Sequence, residues 1–191
     1  MKIVNINASS NKTSSLSTAY AEKLVAKLVS KNSGATVKTR HTTFDKTPFI
    51  DDAILDGLFV NGERTAAQKE ALKFSDELTN ELIESDVLVI GTPIYNFSVP
   101  ASLKAYFDLI ARAGLTFKYG EQGPVGLLEN KKAYVVITSG GVKVGSEADF
   151  AGNYIKQFLG FLGITDVEFI PLDLLMFDSE TKIAEADKQI A

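Results

Sequence analysis

Short apolar runs and amphipathic stretches alternate along the whole chain. Residues 3–6 read as a first strand, and Ala21, Leu24, Val25, Leu28 and Val29 then recur at the i, i+3, i+4 spacing of one helix face. Asn32-Ser33-Gly34 stops that helix, and the β-branched residues of 36–39 predict a second strand. Ala71, Phe74, Leu78 and Leu82 mark the next helix, followed by an unbroken apolar run, Val87-Leu88-Val89-Ile90. Leu103, Tyr106, Phe107 and Ile110 mark another helix, and 133–137 a further strand. Tyr154, Ile155, Phe158 and Leu162 share a helix face, 167–170 form a last strand, and a weak helix over 181–190 closes the chain. Two connections, from about 45 to 65 and from 114 to 128, carry no firm period. Connections of that length are functional or mobile.

Five strands separated by helices predict a mostly parallel sheet covered on both faces, because each parallel crossover needs a helix-length connection. The runs 87–90 and 133–137 lack alternation, as strands buried on both sides do, so they belong at the centre. The expected architecture is a flavodoxin-like α/β three-layer sandwich, with its five parallel strands in the order 2-1-3-4-5. All 191 residues are expected to form one domain. In such a sheet, ligands bind beyond the carboxyl ends of the strands. That brings together the loops after strands one, three and four.

The loop after strand three, 91–100, holds Gly91, Pro93, Ile94, Tyr95, Asn96, Phe97 and Pro100. Its backbone N–H groups, amide and flat rings suit a planar heterocycle, while its Pro and Asn would equally shape a plain turn. The loop after strand one carries hydroxyls at Ser9, Ser10, Thr13, Ser14, Ser15, Ser17 and Thr18. One Ser would suffice as an N-cap. The surplus favours a phosphate group held at the unpaired N–H groups of a helix start. The loop lacks both Gly-x-Gly-x-x-Gly and a Gly-Lys-Ser/Thr ending, which argues against a dinucleotide turn and a Walker A loop. After strand four, Ser139-Gly140-Gly141 permits close backbone approach, either to a ligand or simply within a turn.

Composition narrows the chemistry. The chain has no cysteine, one histidine and a net charge of −4, with Lys and Arg dispersed. Thiolate chemistry and cysteine-ligated metals are thereby excluded, and no basic face offers itself to nucleic acid. His41, at the end of an outer strand, reads as an exposed structural residue. The carboxylates show no metal-ligand spacing, so no metal site is expected. No apolar run is long enough to span a membrane, and the start does not read as a signal peptide, so a cytoplasmic protein is expected. A crevice without acid–base machinery suggests that a bound cofactor carries the reaction. Phe117 and Tyr119 read first as packing residues.

Several blocks then resemble one family, the FMN-dependent NADH azoreductases, relatives of the NAD(P)H:quinone reductases. They are Pro93-Ile94-Tyr95-Asn96-Phe97, the run Leu103 through Gly114, Thr116-Phe117-Lys118-Tyr119, Gly123-Pro124, Gly126-Leu127, Lys131-Lys132-Ala133 and Phe158 through Ile164. The resemblance implies FMN as cofactor and NADH as electron donor. Azo compounds and quinones would be reduced by two-electron, ping-pong hydride transfer. It assigns the FMN phosphate to Ser10, Ser15, Leu16 and Ser17, and the ring to Ile94, Tyr95, Asn96, Phe97, Ser139, Gly140 and Gly141. Tyr119 and Phe161 match positions on the substrate side of the flavin, and no acid–base residue is implied. The family forms homodimers with composite sites. Many members read Ser-Arg-Gly-Gly where this chain has Ser139-Gly140-Gly141, so an arginine position is missing here. Two other readings remain, a flavodoxin-type electron carrier and a hydrolase of acyl-carrier phosphodiesters; the residues supply no nucleophile, base or metal ligands for the latter.

Overall fold

The alternation of apolar runs builds a five-stranded parallel sheet. The computed structural model describes residues 1–60 and 62–191. Its sheet strands are β1 (Lys2–Asn7), β2 (Thr36–His41), β3 (Val87–Pro93), β6 (Lys132–Thr138) and β7 (Asp166–Leu172). They lie in the order β2-β1-β3-β6-β7. The two intervening strands, β4 (Phe117–Gly120) and β5 (Gly123–Gly126), pair only with each other as an antiparallel hairpin. Counted without the hairpin, the order is the expected 2-1-3-4-5. Register runs straight across the middle, Ile3 opposite Val87 and Val87 opposite Lys132.

The helices are α1 (Leu16–Lys31), α2 (Asp52–Leu58), α3 (Ala66–Glu84), α4 (Ala101–Ile110), α5 (Phe150–Leu162) and α6 (Ser179–Ile190). Successive strand residues point to opposite faces, and two separate cores result. Val4, Ile6, Leu88, Ile90, Val135 and Ile137 pack with α3, α4 and α5. Ile3, Val87, Val89, Val136, Ile170 and Leu172 pack with α1 and α6. Three layers follow directly. Every residue of β3 is buried, as its unbroken apolar run predicted. The outer strand β2 is mostly exposed, and Arg40 on it pairs with Glu77 and Glu81 of α3.

The aperiodic connections contain structure too small to leave a period. In the first, Asp51 caps α2 by accepting from the Ile54 N–H at 2.9 Å, and only Ile54 and Gly57 of this helix are buried. Asn61, in the same connection, lies outside the described residues. The second connection is the β4–β5 hairpin. It lies against the end of α5 so closely that a Cβ on Gly126 would come within 2.1 Å of the Gly163 nitrogen. His41 is half-buried rather than exposed; its backbone N–H donates to Asp45 at 2.8 Å.

Candidate functional site

The β1–α1 loop is ordered by its own polar side chains. Asn11 Oδ1 accepts from the N–H groups of Thr13 and Ser14 at 3.1 and 3.0 Å, and its amide donates to Ser14 Oγ at 2.8 Å. Ser15 caps α1, its hydroxyl accepting from the Thr18 N–H at 3.2 Å and standing 3.1 Å from Ser17 Oγ. The N–H groups of a helix's first turn have no intrahelical acceptor, and the dipole there is positive. No acidic side chain occupies the first turn of α1 to neutralise it. Ser10 and Leu16 are exposed around this end, whereas Ser17 is buried beneath it. The donor set fits an anion.

In the loop after β3, Tyr95 and Ser98 exchange backbone hydrogen bonds at 2.9 and 3.0 Å, forming a two-residue hairpin turn. Both central residues are left-handed, Asn96 at φ 48° and Phe97 at φ 70°. That geometry ordinarily takes Asn-Gly. An aromatic residue there costs about 1–2 kcal/mol. The strain is retained together with an exposed ring: Phe97 is 56% exposed. The turn is fixed on one side by the Ile94 N–H donating to the Thr138 carbonyl at 2.8 Å. On the other, the phenol oxygen of Tyr95 accepts from the Ser10 N–H at 3.3 Å. An open cavity of about 470 Å³ lies alongside, lined by Ser10, Thr42, Lys46, Phe49, Tyr95 and Ser102.

The third loop follows β6. Ser139 is buried, its hydroxyl bridging both backbone groups of Val142. Gly140 and Gly141 are exposed at the crevice. The fold thus gathers Ser10, Ser15, Leu16, Ser17, 94–97 and 139–141 at the carboxyl ends of three adjacent strands, β1, β3 and β6.

Tyr119 and Phe161 are not part of that gathering. Helix α5 leaves the carboxyl end of β6 and returns to the amino end of β7, so Phe161 stands roughly 16 Å along its axis from its start. The hairpin packs at that far end, where the rings of Phe117 and Phe161 lie 4.5 Å apart. Tyr119, 74% exposed, stands beside Phe117. Both substrate-side candidates therefore sit at the pole opposite their own chain's crevice. Among the described residues, no three His, Asp or Glu side chains converge as metal ligands.

One group of crevice residues gave no sequence signal. The β7–α6 connection presents Met176 and Phe177 beside the Gly-Gly turn, and neither a period nor a motif marks them.

Residues 1–191 match the family model described as the flavodoxin-like fold. The chain belongs to this flavodoxin-like family. Within it, the chain is 48% identical over 191 residues to an FMN-dependent NADH:quinone oxidoreductase 1 of Hahella chejuensis, covering all of this chain and 93% of the relative. A protein of the same description from Colwellia psychrerythraea is 46% identical over 192 residues, covering 100% and 98%. An azoreductase of Bacillus anthracis superposes with a TM-score of 0.89 at 27% identity over 99% of this chain and 96% of that one. An FMN-dependent NADH-azoreductase of the same species, solved in complex with FMN, gives 0.88 at 26% identity over 100% and 96%. The family read from the loop motifs is therefore the family found.

Proposed function

We propose that this flavodoxin-like protein is an FMN-dependent NADH oxidoreductase that reduces quinones and azo compounds. The observation that carries the reading is the convergence of an uncompensated helix start, a strained aromatic turn and a paired-glycine turn at one crevice, on a chain related end to end to NADH:quinone oxidoreductases. When bound, FMN would supply two-electron redox chemistry, so that oxidation of NADH and reduction of the quinone or azo acceptor run as separate, ping-pong half-reactions.

The residues fit that group. Ser10, Ser15, Leu16 and Ser17 would hold the phosphate with backbone N–H groups and neutral hydroxyls, without having to displace a carboxylate. Ile94, Tyr95, Asn96 and Phe97 would seat the ring, with Ser139, Gly140 and Gly141 closing in from β6. Unpaired loop N–H groups at the crevice would stabilise negative charge on a bound ring without a titrating side chain. The chain's main contribution would be orientation, holding cofactor and substrate at reacting distance.

A homodimer follows from the same reading. Tyr119 and Phe161 are half a molecule away from their own crevice, so they can act on the substrate side of a flavin only across an interface with a second copy. The composite site would take a planar acceptor between the ring and the partner's aromatics. The setting we infer is the cytoplasm, where NADH is available; no helix of the described residues is long and apolar enough to cross a membrane.

Purified protein reconstituted with FMN should be yellow, bleach under anaerobic NADH, and turn over NADH steadily with menadione or a simple azo dye. Failure to retain FMN overturns the reading. Bleaching without turnover identifies an electron carrier instead.

A further inference from the structure

The connection between β7 and α6 is laced to the loop after β6 well past the end of the sheet. The Ser139 N–H donates to the Leu172 carbonyl at 3.1 Å, the Leu175 N–H to the Ser139 carbonyl at 3.1 Å, and the Met176 N–H to the Gly140 carbonyl at 3.0 Å. Asp173 adds a side-chain tie, accepting from the Val144 N–H at 2.7 Å. Leu174 takes a left-handed φ of 55°, and the chain turns back there, with the N–H groups of Phe177 and Asp178 both donating to the Leu174 carbonyl. Two loops thus form one braced unit.

What that unit displays is apolar and uncovered. Met176 is 80% exposed and Phe177 77%, among the most exposed large apolar side chains of the described residues. Both stand against the glycines. A Cβ on Gly140 would lie 3.0 Å from Met176 Sδ, and one on Gly141 would lie 3.7 Å from Phe177 Cε2. The thioether and phenyl group therefore border the space that the missing glycine side chains leave open. Apolar groups held out on hydrogen-bonded backbone mark a contact surface, and their place at the mouth of the crevice, against Gly140 and Gly141, favours a ligand as what covers them.

We propose that Met176 and Phe177 form the apolar outer wall of the flavin-ring site, flanking the ring next to Gly140 and Gly141. The proposal rests on the FMN reading above. A thioether contacts a ring edge favourably, and a phenyl group packs on it edge or face. Together they exclude water from the side of the crevice farthest from Tyr95. They also make the short Ser139-Gly140-Gly141 turn sufficient, because the wall comes from the neighbouring connection rather than from the turn's own side chains.

The test is FMN binding, followed by quenching of flavin fluorescence, for the wild type and for Met176→Ala, Phe177→Ala and Met176→Glu. Each alanine variant should weaken FMN binding about five- to tenfold, the share expected of a large apolar contact removed from water. It should also blur the fine structure of the bound flavin's visible band as water enters. Met176→Glu should in addition shift the flavin reduction potential negative, an effect that loss of packing alone does not produce. Val37→Ala, on the outer strand β2, is the control and should bind FMN as the wild type does. Unchanged affinity and spectra in all three variants overturn the wall. So does lost self-association in sedimentation with per-site FMN affinity intact, which would make the pair interface contacts. A wild type that binds no FMN instead defeats the functional reading.

Discussion

The backbone N–H of Ser10 donates to the phenol oxygen of Tyr95 at 3.3 Å, joining two loops 85 positions apart. One loop offers anion donors and the other flat rings, so this bond sets their spacing. Tyr95→Phe keeps the ring and removes the acceptor. Because Ser10 is exposed and water can replace the lost partner, FMN affinity should fall only about two- to fivefold. Equilibrium titration with FMN measures it. An unchanged affinity would show that the loops are spaced by their backbones alone.

Phe97 trades stability for a ring at the crevice. Phe97→Gly releases the strain at φ 70°. Part of the gain is offset by the greater freedom of an unfolded glycine, leaving a net stabilisation of about 0.5–1 kcal/mol. The apoprotein should melt a few degrees higher while FMN binds several-fold more weakly. A lower melting temperature would place the strain elsewhere.

Gly91 is where α1 rests on β3. A Cβ there would come within 2.7 Å of the Ser17 carbonyl and 2.8 Å of Ala21 Cβ. Gly91→Ala must lift the start of α1, costing about 1–3 kcal/mol in urea unfolding. If that helix end holds the phosphate, as proposed above, FMN retention should fall in parallel. Full retention in a destabilised variant would separate the helix start from phosphate binding.

Alkaline stability should depend on Tyr154. Burial first, and the nearby Asp108 carboxylate second, push its hydroxyl up to about 12, against about 10 in an unfolded chain. The folded state holds this proton more tightly, so the contribution is complete below pH 10 and is lost as pH rises from 10 to 12. Tyr154 is only half-buried, which reduces the effect to on the order of 1 kcal/mol. Burial raises Tyr106 as well, so the comparison is between the wild type and Tyr154→Phe. The variant should lose less stability over that window in denaturant titrations. Parallel curves would rule out Tyr154 as a source of the alkaline loss.

Much of this architecture was legible because burial writes itself into sequence with a period. Val87 through Ile90 had to be central, since a strand covered on both faces has no polar side to show. The hydroxyls of 9–18 and the rings of 94–97 were legible as loop chemistry at strand ends. Helix α2 was not, because seven residues with two buried positions produce no period. The left-handed turn at Asn96-Phe97 was also silent, since its usual signal is a glycine that is absent here.

What the sequence by itself determined is the five sheet strands, the longer helices, the central strands and the family, all of which depend on local periodicity and contiguous motifs. Only the tertiary structure decided how the converging loops touch and which residues join or leave them. It joined Ser10 to Tyr95, carried Tyr119 and Phe161 to the far pole, and braced Met176 and Phe177 over Gly140 and Gly141. Those relationships depend on hydrogen bonds and packing between residues remote in the chain, and they exist only once parallel crossovers have aligned the strand ends at one edge.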